Sequence, residues 1–395
     1  MKLLWKKLNP FEKERQKPSG SLALIADHPV WMGYQDSYEE HAHNGYRRNS
    51  IVYRCVNLIA QCISSVKLCV QKDGQLVKDH PILKLLSNPN TLQTNYCDFM
   101  QTLISHLLLS GNAFIQLVGE ELYILRPDRV KVLLGKDGFP AAYEYRVGTH
   151  CQRLTISDFS DASSVLHISL FNPLDTHWGQ SPLTAASSLI SFRNQALEHN
   201  AAILENGGRP SGLLIVDTEQ EMTAPQREQL REDLENLYAG RKNAGRMMVL
   251  EGKFRWETLG ISPKDMDFLK GQEKSGREIA QVFGIPPVCI GIKSENESFL
   301  SYKEARLHMW EDTILPLLQY VLEHLNQWFF SLYGKEVHLT FNKDSIDALS
   351  VKRDELWDRV NKAEFLTINE KRSLLGLPHL SETQITQLAY SSASA

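Results

Sequence analysis

The sequence predicts an α+β fold divided among several structural regions. Its 395 residues are too many for one simple core, because single hydrophobic cores stop growing at about 250–300 residues. Short strand patterns joined by turn residues dominate the first half of the chain, and long helical patterns dominate the second half. These elements do not alternate as a repeating βαβ series, which would have indicated a parallel sheet.

The first half is predicted to mix helices with short antiparallel strands. Residues 1–45 show no clear period and are interpreted as a flexible segment. The elements expected after it are a helix over 49–66, a hairpin turning at 73–74, a helix over 94–109, strands over 113–118 and 122–125, a hairpin turning at 137–138 and a strand over 165–170.

A long helix is predicted over 181–206. Ser181 suits the N-cap and Pro182 the first helical position, and Gly207 with Gly208 ends the pattern. The apolar residues cover more than one narrow stripe of the helix surface. A helix with such a broad apolar surface packs on several sides, and neighbouring subunits could supply some of those contacts.

The second half is predicted to be largely helical. A second long helix is expected over 265–283 and a third over 302–332, where Pro316 should introduce a kink. Thr367 and Glu370 form a capping-box pattern at the start of a short helix. The remaining elements are strands over 213–216, 247–250, 254–259 and 339–341, and helices over 225–238 and 350–363.

Motifs that resemble enzyme sites lack the residues that such sites require. In Gly271–Gly276 the glycine spacing suits a phosphate-binding loop, but Arg277 and Glu278 follow where Lys and Ser/Thr are needed, and residues 240–246 have the same defect. Gly179–Leu183 begins like a nucleophile elbow but ends in leucine instead of glycine. We therefore expect no enzymatic activity, no catalytic residue and no cofactor.

No metal site is expected either. His41 and His43 lack a Cys or acidic partner at suitable spacing and are interpreted as a mobile surface pair. Cys55, Cys62 and Cys69 lie seven residues apart, which on a helix is about 10 Å between neighbours and too far for one metal. These cysteines are interpreted as buried free thiols.

Charge and hydropathy limit the partners that the chain can have. The formal net charge is -4, and no strongly basic domain stands out, so DNA is either not a ligand or passes without adhering. No apolar run reaches the roughly 18 residues of a membrane span. Met1–Phe11 carries Lys2, Lys6 and Lys7 around a short apolar core, with no cleavage site after it. We expect a cytoplasmic product without a secretory signal.

Short motifs follow one another along the chain in a recognisable order. They are His80-Pro81, Asn88-Pro89-Asn90, Gly111-Asn112-Ala113-Phe114, His167-Ile168, Gly179–Leu183, Asn206–Gly212, Ile279–Pro287 with Gly291, Leu366–Arg372 and Leu377-Pro378. Each motif alone is weak, but the ordered series resembles the large portal protein family of long-tailed phages, prophages and gene transfer agents. The resemblance covers roughly residues 45–380.

The resemblance implies a portal fold in a ring, usually dodecameric, at one vertex of a capsid. It divides the chain into a flexible N-terminal segment (1–45), the first part of a mixed α/β wing (46–178), a stem helix (179–210), a small α/β clip (211–262), a second stem helix (263–292), a tunnel loop (293–302), a kinked channel helix with the rest of the wing (303–348), a helical crown (349–380) and a disordered tail (381–395).

The resemblance also implies the function and the partners. Double-stranded DNA would pass non-specifically through the ring during packaging and ejection. The candidate tunnel-loop residues are Lys293, Ser294, Glu295, Asn296, Glu297 and Ser298, and Pro316 would kink the channel helix. The other implied partners are the terminase large subunit, a head–tail connector or adaptor, and the major capsid and scaffold proteins, with no membrane and no cofactor. The implied location is the virion, after assembly in the host cytoplasm.

Two alternative functions remain open from the sequence. The first is a nucleotide-dependent cytoplasmic enzyme built around Gly271–Gly276, which would bind or hydrolyse nucleotide by itself. The second is a head–tail adaptor that forms no DNA channel. A ring with a bore wide enough for DNA distinguishes a portal from such an adaptor.

Overall fold

Helices and antiparallel strands are mixed along the chain in this computed structural model. The structure describes residues 38–72, 75–77, 79–136, 138–155, 165–205, 212–216, 223–238, 254–258, 268–292, 299–334, 336–376 and 379–380. Every strand pairing within these ranges is antiparallel. The predicted α+β class is therefore confirmed.

Several helices begin at the residues whose side chains suit a cap. The Asn49 side chain accepts from the backbone amides of Ile51 and Val52, and Thr367 forms the predicted capping box with Glu370. The helices are α1 (Ser50–Ser64), α2 (Pro81–Ser87), α3 (Tyr96–Ser110), α4 (Ser187–Glu205), α5 (Ala224–Tyr238), α6 (Phe268–Val282), α7 (Phe299–His308), α8 (Leu315–Tyr333), α9 (Ser350–Lys362) and α10 (Ile368–Leu374).

The strands form small sheets of two or three members. They are β1 (Leu68–Lys72), β2 (Gln75–Val77), β3 (Asn112–Val118), β4 (Glu121–Leu125), β5 (Val130–Leu134), β6 (Pro140–Val147), β7 (His150–Thr155), β8 (Val165–Ser169), β9 (Gly212–Val216), β10 (Phe254–Thr258) and β11 (Val337–Phe341). Their orders are β11-β1-β2, β4-β3-β8, β5-β6-β7 and β10-β9.

One of these sheets joins the two halves of the chain. Strand β11 pairs with β1 in a register that places Leu68 opposite Phe341 and Lys72 opposite Val337. Val70, at the centre of β1, is fully buried. The C-terminal half therefore completes a sheet that the N-terminal half begins.

The main hydrophobic core lies around helices α1, α3 and α8. Helix α1 buries Val52, Cys55, Val56, Ile59 and Ile63, a spacing of three and four residues that places them on one helix face. This face packs against α3. A second, smaller core forms around the aromatic side chains at positions 114, 143 and 178, beside strands β5 to β7.

The backbone crosses itself at two glycines, Gly111 and Gly179. Gly111 ends α3 with a φ of 78°, which favours glycine. Its carbonyl accepts a hydrogen bond of 2.8 Å from the amide of Leu170. A methyl group on Gly179 would come within 2.7 Å of both Leu170 backbone polar atoms, and closer still to the Gly111 carbonyl oxygen. We call this contact the glycine crossing.

Asn112 holds the glycine crossing together. Its side-chain amide donates to the Gly179 carbonyl (3.0 Å), and its side-chain oxygen accepts from the Gly179 amide (2.8 Å). The same oxygen lies 2.9 Å from His167 Nε2, which must donate because the oxygen accepts. Asn112 is fully buried. A buried amide with this many partners fixes the relative positions of the segments it joins.

Burial keeps His167 neutral. Its ring stacks on Phe114 with 4.2 Å between the ring centroids. Loss of hydration lowers its pKa from 6.5 to about 3, with smaller contributions from His324 and His177. The neutral ring matches its hydrogen bond to Asn112, so the motifs around residues 111–114, 167–168 and 179–182 meet in one buried cluster.

The structure corrects two predictions about helices. The first long helix was predicted to run without interruption from 182, but a single helical turn (Pro182–Ala185) precedes α4, and the break falls at Ala186. Leu183 and Ala186 are fully buried, and Ser181 donates to the carbonyl of Leu108. The core therefore fixes the first turn, and the helix restarts after it. The end predicted at 207–208 lies outside the described residues.

The N-terminal prediction was also wrong in part. Residues His41–Arg47 form a π-helical segment, although 1–45 was predicted to be flexible. His41 is buried and its Nδ1 donates to the carbonyl of Leu109, so it does not belong to a mobile surface pair. The helical periodicity of residues 41–47 was missed because only a few side chains of this segment face the core. Helix α2 and strand β7 were not predicted, and the strand predicted over 247–250 lies outside the described residues.

Replacing Gly179 by alanine is expected to destabilise the protein by about 3 kcal/mol or more, because the added methyl group would collide with rigid backbone. The midpoint of urea denaturation measures this loss. Gly45→Ala is the control, since its methyl group would lie at an ordinary 3.6 Å from Leu183 and should change stability by less than about 1 kcal/mol. Equal midpoints for both variants would contradict the glycine crossing.

Acidification is expected to destabilise the fold through His167. Its pKa is lower in the folded chain than in the unfolded chain, so its contribution is complete above pH 6.5 and is lost as the pH falls toward 3. One such histidine changes stability by about 1.4 kcal/mol per pH unit in this window. Urea denaturation at pH 7.5 and 5.0 measures the free energy of unfolding at each pH. The difference between these two free energies should be smaller for His167→Phe than for the wild type. A variant of the exposed His43 is the control, and an unchanged difference in His167→Phe would rule the effect out.

Candidate subunit interface

Helices α4 and α6 pack against each other and leave apolar surface uncovered. Within the described chain, α4 buries only Ile190 and Ala196 among its residues. Phe192, Leu197 and Leu204 keep 41%, 44% and 69% of their surface exposed. The broad apolar surface predicted for this helix is present, but one chain covers little of it. We call α4 and α6 the helix pair.

Glycines in α6 allow the helix pair to approach closely. A methyl group on Gly271 would lie 3.0 Å from the Phe192 ring of α4, and one on Gly276 would lie 3.4 Å from Arg193 Nη1 of the same helix. Both glycines lie inside α6 rather than in a loop. The spacing of Gly271–Gly276 therefore reflects helix packing and not a phosphate-binding loop. The similar segment 240–246 lies outside the described residues.

A partly desolvated arginine lies between the two helices. Arg193 Nη1 of α4 donates to the carbonyl of Gln272 in α6 at 2.7 Å, and burial lowers the pKa of the Arg193 guanidinium. Arg193 Nε and Gln272 Nε2 are buried without a hydrogen-bond partner among the described residues. Buried donors without acceptors cost free energy, so the helix pair retains unused hydrogen-bonding capacity.

Polar contacts attach α4 to the N-terminal segment. Asn194 donates to the backbone carbonyl of Asn44 at 2.8 Å and accepts from the side chain of Asn49 at 3.2 Å. Arg48 pairs with Glu198 on the exposed side. These contacts hold α4 against the N-terminal segment as far as Glu198, and the exposed Leu204 lies beyond them.

The predicted tunnel-loop residues cannot be placed. Lys293, Ser294, Glu295, Asn296, Glu297 and Ser298 lie outside the described residues, which stop at Ile292 and resume at Phe299. The 3₁₀ turn Pro287–Ile290 precedes this interval, and α7 follows it. Their contact with DNA stays a prediction.

Pro316 lies in the first turn of α8 instead of the middle of one continuous helix. A π-helical segment, Met309–Ile314, immediately precedes it. Proline has no amide to donate and crowds the carbonyl four residues earlier, and a π-helical turn accommodates such an interruption. The structure therefore places a helix irregularity beside Pro316, and the kink itself stays a prediction.

The described residues contain no group of three or more His, Cys, Asp or Glu side chains that could hold a metal ion. Cys55 is a buried free thiol, as predicted, and burial raises its pKa to about 12. Cys62 and Cys69 are free but only half-buried. No helix in the described ranges has the length and apolar content needed to cross a membrane.

Sequence reasoning missed the contact between Arg193 and Gln272. The two residues are 79 positions apart, and neither belongs to a motif with a known chemical role. It also missed the packing role of Gly271 and Gly276, because mid-helix glycine carries no local sign of a neighbouring helix. Only the broad apolar surface of α4 gave a usable signal.

Comparison with known proteins gives consistent matches. Residues 50–376 match the family model described as phage portal protein. An uncharacterized protein of Rickettsia bellii (strain RML369-C) is 38% identical over 346 residues, which are 86% of this chain and 89% of that protein. The portal protein of Enterobacteria phage HK97 is 23% identical over 347 residues, covering 84% of this chain and 79% of its own.

Solved structures of gene transfer agent necks are also similar. The neck of an empty particle, computed with C6 symmetry, matches with a TM-score of 0.70 and 36% identity over 87% of this chain and 94% of that chain. The neck of a native particle, computed with C12 symmetry, matches with a TM-score of 0.67 and 35% identity over the same shares. With a family match across most of its length, the chain belongs to the phage portal protein family.

Proposed function

We propose that the chain is a non-enzymatic subunit of a closed ring, a dodecamer, at one vertex of a capsid. The observation that carries this proposal is the uncovered apolar surface of α4 in the helix pair. Identical neighbours arranged head to tail cover such a surface through contacts that close on themselves. The C12 symmetry of the similar gene transfer agent neck supports twelve copies.

The uncovered side chains would contribute to assembly when a neighbour buries them. Full burial of one Leu or Phe side chain contributes about 1.5–3 kcal/mol, and Phe192, Leu197 and Leu204 are each exposed by two-fifths or more. In a closed ring each subunit makes this contact with two neighbours, so both contacts must break before a subunit is released.

We further propose that double-stranded DNA passes through this ring during packaging and ejection. The formal charge of -4 supports passage without tight binding, because a basic lining would retain DNA through counterion release. In this proposal residues 211–262 form the clip that meets the terminase large subunit and later the head–tail connector or adaptor. The major capsid and scaffold proteins surround the ring, which assembles in the host cytoplasm and remains in the virion.

A head–tail adaptor without a channel is the second candidate, and ring geometry distinguishes the two. Electron microscopy of the purified protein should show rings with a central bore wide enough for a DNA duplex. A ring without such a bore would favour the adaptor, and a strictly monomeric particle under assembly conditions would argue against both.

The double variant Leu197→Asp, Leu204→Asp is expected to remove the rings while leaving the subunit folded. Each subunit contact should lose about 2–4 kcal/mol of apolar burial, and closing the contact would force the added carboxylates out of water. Light scattering after size-exclusion chromatography measures the assembly state, and thermal unfolding checks the fold. Leu92→Asp is the matched control, since Leu92 is 85% exposed and lies outside the helix pair. Rings that persist in the double variant would exclude α4 from the interface.

Deleting residues 294–298 tests the proposed tunnel loop. We expect rings to form as in the wild type, because the deletion lies outside the helix pair, and we expect DNA packaging or retention to fall. The measurement is the amount of nuclease-protected DNA per particle, with ring formation followed by electron microscopy. Full packaging by the deletion variant would remove the assignment of this segment to the tunnel.

A further inference from the structure

An apolar cavity opens on the surface of the main core. It lies between the loop after β8, the end of α6 and the π-helical segment before α8, and its volume is about 790 Å³. The side chains of Ile59, Leu108, Trp178 and Phe283 line it and are at most 5% exposed. Sites for drug-sized ligands measure roughly 300–1,000 Å³, so the cavity has room for several large side chains.

Hydrogen bonds between the surrounding segments keep the apolar cavity formed. The Tyr320 hydroxyl of α8 donates to the carbonyl of Ser169 at 2.5 Å. The Thr313 hydroxyl donates to the carbonyl of Gly284 at 2.7 Å. On the loop, Asn172 donates to the carbonyl of Trp178 at 2.9 Å. A cavity held open by three separate contacts is preformed, which lowers the cost of filling it.

The negative charge at the apolar cavity favours a positively charged occupant. Among its described lining residues the charged ones are Asp175 and Asp312. The Asp175 carboxylate accepts from the backbone amides of His177 and Trp178, which fixes its position. Asp312 is three-quarters exposed. On the rim, the Phe171 ring is 85% exposed. An occupant therefore needs large apolar side chains next to positive charges.

The chain itself contains a segment with these properties. Residues 1–11, MKLLWKKLNPF, contain six large apolar side chains and three lysines, with no acidic residue. The described chain begins at Tyr38, whose hydroxyl lies 2.9 Å from His106 Nδ1 of α3. Leu108 on the same helix lines the apolar cavity. The residues between 11 and 38 could span about 85 Å when extended, so the segment reaches the cavity easily.

We propose that residues 1–11 dock into the apolar cavity of the same chain. Trp5 and the neighbouring leucines fill the apolar floor, and the lysines lie beside Asp175 and Asp312. The docked segment lies against the exposed Phe171 ring on the rim. The proposal concerns the single subunit and does not depend on ring formation.

Photo-cross-linking of the full-length protein tests this docking. The photoreactive residue p-benzoylphenylalanine in place of Trp5 should cross-link to residues that line the apolar cavity. The product should migrate at monomer mass in denaturing gels, and peptide mass spectrometry identifies the linked residues. The same photoreactive residue in place of Leu92, which is exposed and does not line the cavity, is the control and should give no such product.

Charge reversal supplies a second, independent measurement. Asp312→Lys together with Asp175→Asn should reduce the yield of the cavity cross-link about fivefold, the effect expected of lost exposed ion pairs. Glu304→Lys on α7, away from the cavity, is the matched control and should leave the yield unchanged. Thermal unfolding verifies that each variant is folded. Cross-links that map elsewhere, a product at dimer mass, or a yield no higher than that from position 92 would each overturn the proposal.

Discussion

The fold depends on the close passage of two backbone segments at the glycine crossing. Because neither Gly111 nor Gly179 has a side chain, the end of α3 and the segment before α4 come into direct backbone contact. Asn112 then bonds both polar groups of Gly179. The position from which the helix pair leaves the core is set by these contacts. Any change there would move α4, and with it the apolar surface that we assign to the ring.

The path of the chain after the glycine crossing follows from the position of α4. The chain leaves the core along α4 and returns along α6, which packs on α4. Strand β11 then closes the sheet that β1 begins. The residues between α4 and α6, which include β9, α5 and β10, are therefore an insertion within one continuous core.

Local patterns in the sequence predicted most elements of the fold and only part of the candidate interface. The caps at Ser181 and Thr367 were confirmed, because a cap depends on residues only two or three positions away. The break at Ala186 and the burial of His41 were missed, since both depend on α3, about 70 residues distant. The broad apolar surface of α4 was visible in the sequence. The glycine contacts of α6 with Phe192 were not, because they exist only once two helices meet.

The π-helical segment before Pro316 connects α8 with the end of α6. A π-helical turn contains one residue more than an α-helical turn. If that surplus residue moved along the chain, every residue it passed would rotate by about 100° and shift by about 1.5 Å. Thr313 lies inside this segment and holds the carbonyl of Gly284 at the end of α6. A change of register in this segment would therefore move Thr313 and either shift or break its hydrogen bond to Gly284. The position of α6 in the helix pair is coupled in this way to the register of the helix before α8.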